Sequence, residues 1–238
     1  MSAVYLIRHG QAGLRHNYDT LSDLGHTQAR LLGEYLAAQK IKFAAIYSGE
    51  LTRQQETAAE VRAALERAGQ PQPAITNDPR WNEFDLDAVF AAIAPPLCED
   101  DPEFKLHYEE LSRQMRDRDS AIHRSWTQAD TAVVRAWVEG RYAFDGESWT
   151  AFQERVGSCV ETLAAHGSGD AVAVFTSATP MAIAVGKVLG LSGRHVMRLA
   201  GVTYNAAFST LRVRPNDLML FGFNGTPHLA DPALRTFR

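Results

Sequence analysis

The stretch that decides the fold is Val4-Tyr5-Leu6-Ile7-Arg8-His9-Gly10-Gln11, near the start of the 238-residue chain. Residues 4–7 form an apolar run of strand length, which stops abruptly at a cation, an imidazole and a glycine. In open α/β sheets, ligands bind at the carboxyl ends of the strands. We therefore expect this tripeptide to lie at a binding site, with Gly10 allowing the backbone to approach a ligand closely.

The side chains of the tripeptide suit phosphate chemistry. The planar guanidinium of Arg8 matches the geometry of phosphate oxygens, and an imidazole such as His9 beside a phosphate clamp can accept a phosphoryl group. The alternative is a strand that ends in a polar turn without a chemical role, because a short motif alone carries a risk of false matches.

The composition indicates a globular protein and excludes several classes of partner. Hydrophobic residues make up 45% of the chain and charged residues 22%, as in ordinary globular proteins. A formal net charge of −4 and the lack of a basic block argue against a nucleic-acid partner. No apolar run is long enough to cross a bilayer, and the first strand leaves no room for a signal peptide. We expect no membrane partner and a cytoplasmic location; the sequence leaves the oligomeric state unknown.

Strand-like and helix-like segments alternate along the chain, which predicts an α/β fold with a mainly parallel sheet. After the first strand, the predicted strands are 43–47, 74–76 and 171–175, followed by a terminal hairpin of 205–213 and 218–223 joined by a turn at 214–217. The predicted helices are a helix capped by Ser22, then 51–68, 147–166 and 180–189. Residues 95–145 open with Pro95-Pro96 and are mostly helical in pattern. We interpret them as a helical insertion over one end of the sheet, within a single domain spanning 1–238.

A second cation follows the second predicted strand. Arg53 lies in the first turn of the helix at 51–68, where a cation opposes the helix dipole unless an anion is nearby. We expect its side chain to point back towards the strand ends. The alternative is a surface ion pair with Glu50 or Glu56.

A carboxyl group follows the third predicted strand. Glu83 lies between Trp81 and Phe84, and partial burial beside these rings would raise its pKa and suit a proton donor. Asp85 and Asp87 are alternative donors, and an ordinary exposed acid in a loop is a third possibility.

Together, these residues resemble the histidine phosphatase superfamily, which includes the cofactor-dependent phosphoglycerate mutases. The resemblance covers nearly the whole chain, and a series of motifs in one order is far more specific than any one of them. The matching motifs are Arg8-His9-Gly10-Gln11, Leu21-Ser22-Asp23-Leu24-Gly25 with Gln28-Ala29, Ser48 through Leu51 with Arg53 and Thr57, Asp78-Pro79-Arg80 leading to Glu83, Gly146-Glu147-Ser148 before Phe152 and Arg155, and Phe223-Asn224 with His228-Leu229.

The resemblance implies a three-layer α/β/α sandwich and a role for each matching side chain. It implies that His9 is the nucleophile and forms a phosphohistidine, while Arg8 and Arg53 hold the phosphoryl oxygens. Glu83 would protonate the leaving oxygen and then activate water. Phosphoryl transfer depends mainly on positioning and charge stabilisation. Because two guanidinium groups supply positive charge, we expect neither a metal nor another cofactor.

The chain departs from the family pattern at one position. Members usually carry a second catalytic histidine directly after the last buried parallel strand, and counting back from Leu189-Gly190-Leu191 places Ser177 there. If the site is active, hydroxyls of Ser177 and Thr179 and the helix amides at Ala178 and Thr179 bind phosphate. Losing the imidazole would then cost about 10²–10³-fold in rate. Otherwise the pocket serves binding alone, or Ser177 and Thr179 merely cap the helix.

We predict a phosphomonoester hydrolase that acts through a phosphohistidine on His9. A non-catalytic protein that binds a phosphorylated ligand and a phosphoglycerate-type mutase are the alternatives, although the segments that follow Arg-His-Gly in mutases are not reproduced here. The substrate is a small phosphorylated molecule whose identity the sequence does not reveal. Among the other histidines, His16 is best placed to replace the missing one. Candidate substrate contacts in the first loop are Gln11, Arg15, His16 and Tyr18.

Overall fold

The computed structural model of the chain describes residues 3–164, 171–214 and 217–238. Within these residues, one six-stranded sheet has the order β3-β2-β4-β1-β5-β6. Strands β3, β2, β4 and β1 are parallel to one another, and β5 and β6 extend the sheet in antiparallel fashion. The predicted α/β fold with a mainly parallel sheet is confirmed. The strands are β1 (Ala3–Arg8), β2 (Phe43–Ser48), β3 (Ile75–Asn77), β4 (Ala171–Thr176), β5 (Phe208–Arg214) and β6 (Asp217–Gly225).

The helices follow the predicted pattern with one addition. They are α1 (Asp23–Ala38), α2 (Thr52–Arg67), α3 (Leu86–Asp100), α4 (Pro102–Gln114), α5 (Gln128–Val138), α6 (Trp149–Ala164), α7 (Ala178–Leu189) and α8 (Gly193–Gly201). Helix α8 was not predicted; a glycine lies at each of its ends, and glycine is a weak helix former. The predicted helix end at 165–166 and residues 215 and 216 of the predicted turn lie outside the described residues.

The central strands are buried on both faces. Ile7 of β1 and Phe175 of β4 belong to one core cluster with Leu32 of α1 and Val61 of α2. Because side chains alternate along a strand, Leu6, the neighbour of Ile7, points to the opposite face, where it is also fully buried. Helix α7 contacts β1 and is itself buried along most of its length. Burial on both faces explains why β1 and β4 are continuous apolar runs.

The chain divides into two compact units. One comprises the described parts of Met1–Glu83 and Arg155–Phe237 and contains the whole sheet; the other comprises Phe84–Glu154 and Arg238. The second unit contains α3, α4 and α5, with a buried cluster formed by the rings of Phe84, Trp137, Trp149 and Phe152. That an insertion covers one end of the sheet stays a prediction.

The predicted start of the insertion at Pro95-Pro96 does not coincide with the start of a helix. Both prolines lie inside α3, which begins at Leu86. Proline removes a backbone donor and tends to break a helix, so the pair suggested a boundary that tertiary packing overrides. Val89, Ile93 and Leu97 of this helix are buried, which accounts for its continuation through the prolines.

Within the described residues, none of the helices is both long enough and apolar enough to span a membrane. The cytoplasmic location stays a prediction.

Candidate active site

The carboxyl ends of three neighbouring parallel strands bring the predicted residues to one edge of the sheet. The amide of His9, which follows β1, donates to the carbonyl oxygen of Thr176 in β4 at 2.8 Å. The amide of Gly49, which follows β2, donates to the carbonyl oxygen of Phe175 at 3.0 Å. Ser177 follows β4 directly. The segments after β1, β2 and β4 therefore meet, as expected for a site in an open α/β sheet.

Gly10 is required by a close approach between the first loop and α1. A β-carbon at Gly10 would lie 2.5 Å from the carbonyl oxygen of Gly25, a separation that steric repulsion forbids. The Gly10 amide also donates to Thr57 Oγ1 at 3.1 Å. The turn after His9 is thus held against two helices, which fixes the imidazole on a rigid element.

The His9 ring has one available lone pair. Its Nδ1 lies 2.7 Å from the carbonyl oxygen of Gly10 and donates to it, because a carbonyl oxygen can only accept. The Nε2 atom is therefore the acceptor nitrogen of a neutral ring, and Arg53 Nε donates to it at 3.3 Å. The hydrogen bonds thus place the lone pair on Nε2, beside a guanidinium group.

The surroundings of His9 keep its ring neutral. The side chain is 2% exposed, and burial lowers its pKa well below the usual value; the charges of Arg53 and Arg8 lower the pKa further. A neutral imidazole is nucleophilic, whereas a protonated one is not. His9 therefore has the tautomer and the charge that attack on phosphorus requires.

Arg53 points back to the strand ends, as predicted. Its guanidinium is buried beside His9, and its Nη1 donates to Asp19 Oδ1 at 2.7 Å, with Asp19 Oδ2 accepting from the amide of Thr52 at 3.3 Å. The guanidinium also lies 5.0 Å from the ring centre of Tyr18. Asp19 is thus the anion that offsets the helix dipole at this position. The carboxylate paired with Arg53 comes from the first loop, not from Glu50 or Glu56.

Arg8 is buried, and both of its terminal nitrogens donate to backbone carbonyl oxygens. Nη1 donates to the carbonyl oxygen of Thr203, and Nη2 to that of Phe237 at 2.6 Å. Its Nε has no partner among the described residues. The positive charge also faces Tyr18 and Glu83. Arg8 therefore lies at the site, but binding of phosphoryl oxygens through Arg8 stays a prediction.

Glu83 reaches the site from the turn after β3. Its Oε2 accepts from the amide of Thr179 at 3.1 Å, so the carboxyl group lies at the N-terminus of α7, where the helix dipole favours negative charge. This amide was predicted to face the phosphate together with that of Ala178. Asp85 instead caps α3 by accepting from the amide of Ala88 at 2.9 Å, and Asp87 lies in the first turn of that helix.

Ser177 is held by a residue that the sequence analysis did not identify. Gln54 Nε2 donates to Ser177 Oγ at 2.8 Å and to the carbonyl oxygen of Trp81 at 3.2 Å. Both Gln54 and Ser177 are buried. Ser177 makes no side-chain cap at the start of α7, so helix capping does not explain it. The one signal for Gln54 in the sequence is its position directly after Arg53.

The four candidate substrate contacts of the first loop differ in burial and in their contacts. Gln11 is buried, and its Oε1 accepts from Ser22 Oγ at 2.8 Å, so it supports the start of α1. Arg15 and His16 form a short 3-10 helix on which His16 is exposed. Tyr18 lies beside both arginines of the site. Replacement of the missing histidine by His16 stays a prediction.

The chain matches one protein family over nearly its whole length. A family model described as "Histidine phosphatase superfamily (branch 1)" matches residues 4–225. Among curated proteins, the serine/threonine-protein phosphatase Pgam5, mitochondrial, of Caenorhabditis briggsae is 33% identical over 93 residues, which cover 34% of this chain and 33% of the relative. The Caenorhabditis elegans protein of the same description is also 33% identical over 93 residues. The matched part is thus about a third of these relatives.

Solved structures share the fold at low sequence identity. YhfR of Bacillus stearothermophilus is 19% identical with a TM-score of 0.66, covering 96% of this chain and 100% of that one. A phosphoserine phosphatase variant of Entamoeba histolytica, solved with phosphoserine, is 15% identical with a TM-score of 0.62 and the same coverage. The α-ribazole phosphatase of Shigella flexneri is 17% identical with a TM-score of 0.60, covering 94% and 96%.

Proposed function

This chain belongs to the histidine phosphatase superfamily, and from that premise we propose that it is a phosphomonoester hydrolase acting through a phosphohistidine on His9. The observation that carries the proposal is the state of His9, whose buried neutral ring presents its Nε2 lone pair beside Arg53. A pocket that only bound phosphate would be served better by a protonated imidazole. The low pKa of His9 therefore favours catalysis over the alternative of a binding protein.

The proposed reaction has two steps. The first step needs a protonated Glu83, and the negative charge of a phosphate ester bound beside its carboxyl group favours that form. In this step, the Nε2 lone pair of His9 attacks phosphorus, the bond from phosphorus to the ester oxygen breaks, and Glu83 gives its proton to the leaving alcohol. In the second, water attacks the phosphohistidine, Glu83 takes a proton from that water, and the phosphorus–nitrogen bond breaks to release inorganic phosphate. The proton is thus returned to Glu83, and His9 is neutral again.

The cations supply the charge stabilisation that this chemistry needs. Arg53 now donates to Nε2 and to Asp19, and a phosphoryl group bound at Nε2 would take over both sets of hydrogen bonds. Arg8 adds a second buried positive charge that acts on His9. Fixed positive charge in a buried site stabilises the spread negative charge of the transferring phosphoryl group.

We assign Ser177 to the phosphate pocket, in the place of the usual second histidine. Because its oxygen accepts from Gln54, its own proton is directed away from Gln54 and can be donated to a phosphoryl oxygen. Ala178 and Thr179 complete this side of the pocket, with the Thr179 amide acting through Glu83. A neutral hydroxyl in place of an imidazole predicts a slow hydrolase. It also makes a mutase the weaker alternative, since a mutase must retain a bisphosphate intermediate.

Ligands bound by a protein of the same fold indicate the class of substrate. The phosphoserine phosphatase of Entamoeba histolytica, which shares the fold, has been solved with phosphoserine and with 3-phosphoglyceric acid, both small phosphorylated acids. We propose a small phosphorylated molecule as the substrate of this chain, with Tyr18 the best-placed contact from the first loop.

Turnover of p-nitrophenyl phosphate tests the proposal. The wild-type chain should release nitrophenol, and His9→Ala should reduce the rate to background. The control variant His195→Ala, at an exposed position of α8, should retain the wild-type rate. Acid-labile phosphate on His9, detected by mass spectrometry after rapid quenching, should appear in the wild-type chain alone. Equal rates for wild type and His9→Ala, with inorganic phosphate still bound, would instead identify a binding protein.

A further inference from the structure

An arginine outside the pocket holds the turn that carries Glu83. Arg155 lies in α6, and its Nη1 is within hydrogen-bond distance of three backbone carbonyl oxygens, those of Pro79 at 3.2 Å, Arg80 at 2.7 Å and Asn82 at 3.1 Å. These carbonyls belong to the short helix Pro79–Trp81 and to the residue directly before Glu83. One charged group thus gathers three acceptors of a single turn, and hydrogen bonds to charged donors are the strong ones.

The same turn is also tied to the sheet and to α2. The carbonyl oxygen of Trp81 accepts from Thr176 Oγ1 at 2.6 Å and from Gln54 Nε2 at 3.2 Å. Asn82 Oδ1 accepts from the amide of Glu50 at 2.7 Å. The turn is therefore fixed by contacts from β4, α2 and the loop after β2, and Arg155 adds contacts from α6.

We propose that Arg155 is a positioning residue for Glu83, and this inference rests on the proposed function. Glu83 must lie within hydrogen-bond reach of the leaving oxygen, and its carboxyl group is already directed to the N-terminus of α7 by the Thr179 amide. The peptide bond between Asn82 and Glu83 carries one of the three carbonyls that Arg155 holds. Releasing that carbonyl allows the backbone of Glu83 to move, and small displacements of a reacting group cost large factors in rate.

The role predicts a dependence on the leaving group that a purely structural arginine would not produce. Departure of p-nitrophenolate needs little protonation, whereas departure of phenolate or of an alkoxide needs a proton donor. Loss of Arg155 should therefore reduce kcat/KM mainly for esters with basic leaving groups. The first step of the reaction, which kcat/KM reports, contains the departure of that group.

The experiment compares p-nitrophenyl phosphate with phenyl phosphate for wild type, Arg155→Met, Arg155→Lys and Glu83→Gln. We expect Arg155→Met to lose about 10²-fold in kcat/KM on phenyl phosphate and less than about tenfold on p-nitrophenyl phosphate. Arg155→Lys, which keeps one charged donor, should recover part of the loss. Adding Arg155→Met to Glu83→Gln should cost little more on phenyl phosphate, because both changes remove one function.

Matched controls separate positioning from a general loss of structure. Arg80→Met removes a guanidinium from the same turn, where it pairs with Asp78, but leaves the three carbonyl contacts in place, so both esters should be hydrolysed as by wild type. Inhibition by orthovanadate, a phosphate analogue, should be unchanged in Arg155→Met. If Arg155→Met is poorly folded, Arg155→Lys provides the comparison.

An equal loss on both esters, or no loss on either, would overturn the assignment of Arg155 while leaving the proposed function intact. If instead wild type and His9→Ala have the same background rates on both esters, the proposed function fails and the role of Arg155 fails with it. The two failures are therefore distinguishable in one set of measurements.

Discussion

Restoring the usual second histidine by the substitution Ser177→His should impair this protein, because its pocket is built around serine. Ser177 is 1% exposed, and the side chain of Gln54, which donates to it at 2.8 Å, is fully buried. An imidazole at this position has to displace the Gln54 amide. The substitution thus removes one hydrogen bond and adds volume to a filled site.

The expected cost follows from these two effects. The lost hydrogen bond between Gln54 and Ser177 contributes about 1 kcal/mol to the free energy of unfolding. Overpacking a buried site costs about 1–3 kcal/mol. For a chain of this length the midpoint of thermal unfolding should fall by roughly 5–10 °C. The kcat/KM for p-nitrophenyl phosphate should fall at least about tenfold, as a displaced Gln54 crowds the phosphate pocket.

Thermal unfolding and p-nitrophenyl phosphate turnover measure the two effects separately, and Ser177→Ala is the matched control. Alanine loses the same hydrogen bond without adding volume, so its free energy of unfolding should fall by about 1 kcal/mol only. Its turnover should also fall, because a hydroxyl donor to the phosphoryl group is gone. Higher turnover of Ser177→His with an unchanged unfolding midpoint would refute the reasoning and would show a site merely impaired by serine.

Two further predictions concern charge. Asp19→Asn should strengthen competitive inhibition by inorganic phosphate by up to about fivefold, because the half-exposed Asp19 carboxylate occupies Arg53 Nη1. The size follows from the ion pair, which at this exposure is worth at most about 1 kcal/mol. Glu50→Gln is the control, and weaker inhibition by phosphate in Asp19→Asn would show that Asp19 orients Arg53. Burial lowers the pKa of His228 to about 4, so between about pH 6.5 and pH 4 this histidine is protonated in the unfolded chain but not in the folded one. The free energy of unfolding should therefore fall as the pH drops through that range. His228→Phe keeps the ring contacts with Tyr35 and Phe208 and should remove up to about 3 kcal/mol of that acid-side loss in urea unfolding; identical pH profiles would contradict the assignment.

The parts of the fold that depend on local order were predictable. The apolar runs at 4–7 and 171–175 are strands whose side chains alternate between two buried faces of the sheet, so that neighbouring residues are all apolar. Ser22 begins α1 because its side chain accepts from the amide of Gly25 three residues later. A local sequence signal was also misleading at one helix. The prolines at 95 and 96 suggested a boundary, but buried apolar residues carry α3 through them.

The chemistry at the strand ends was predictable as a set of residue types. His9 follows β1, and Arg53 lies in the first turn of α2, which follows β2. Because the carboxyl ends of parallel strands lie at one edge of the sheet, the two side chains meet there. Their tautomer and direction of donation were not predictable. Those depend on the carbonyl of Gly10 and on Asp19, whose positions the local sequence does not specify.

The sequence by itself therefore determined the strands, the helices and which side chains gather at the carboxyl edge of the sheet, because periodicity, caps and strand ends act over a few residues. Only the tertiary structure decided which of these groups touch. Gln54 meets Ser177 across 123 positions of chain, and the Thr179 amide meets Glu83 across 96. Contacts of such range are set by how the elements pack, and a single buried hydrogen bond leaves no periodic signal along the chain from which it can be inferred.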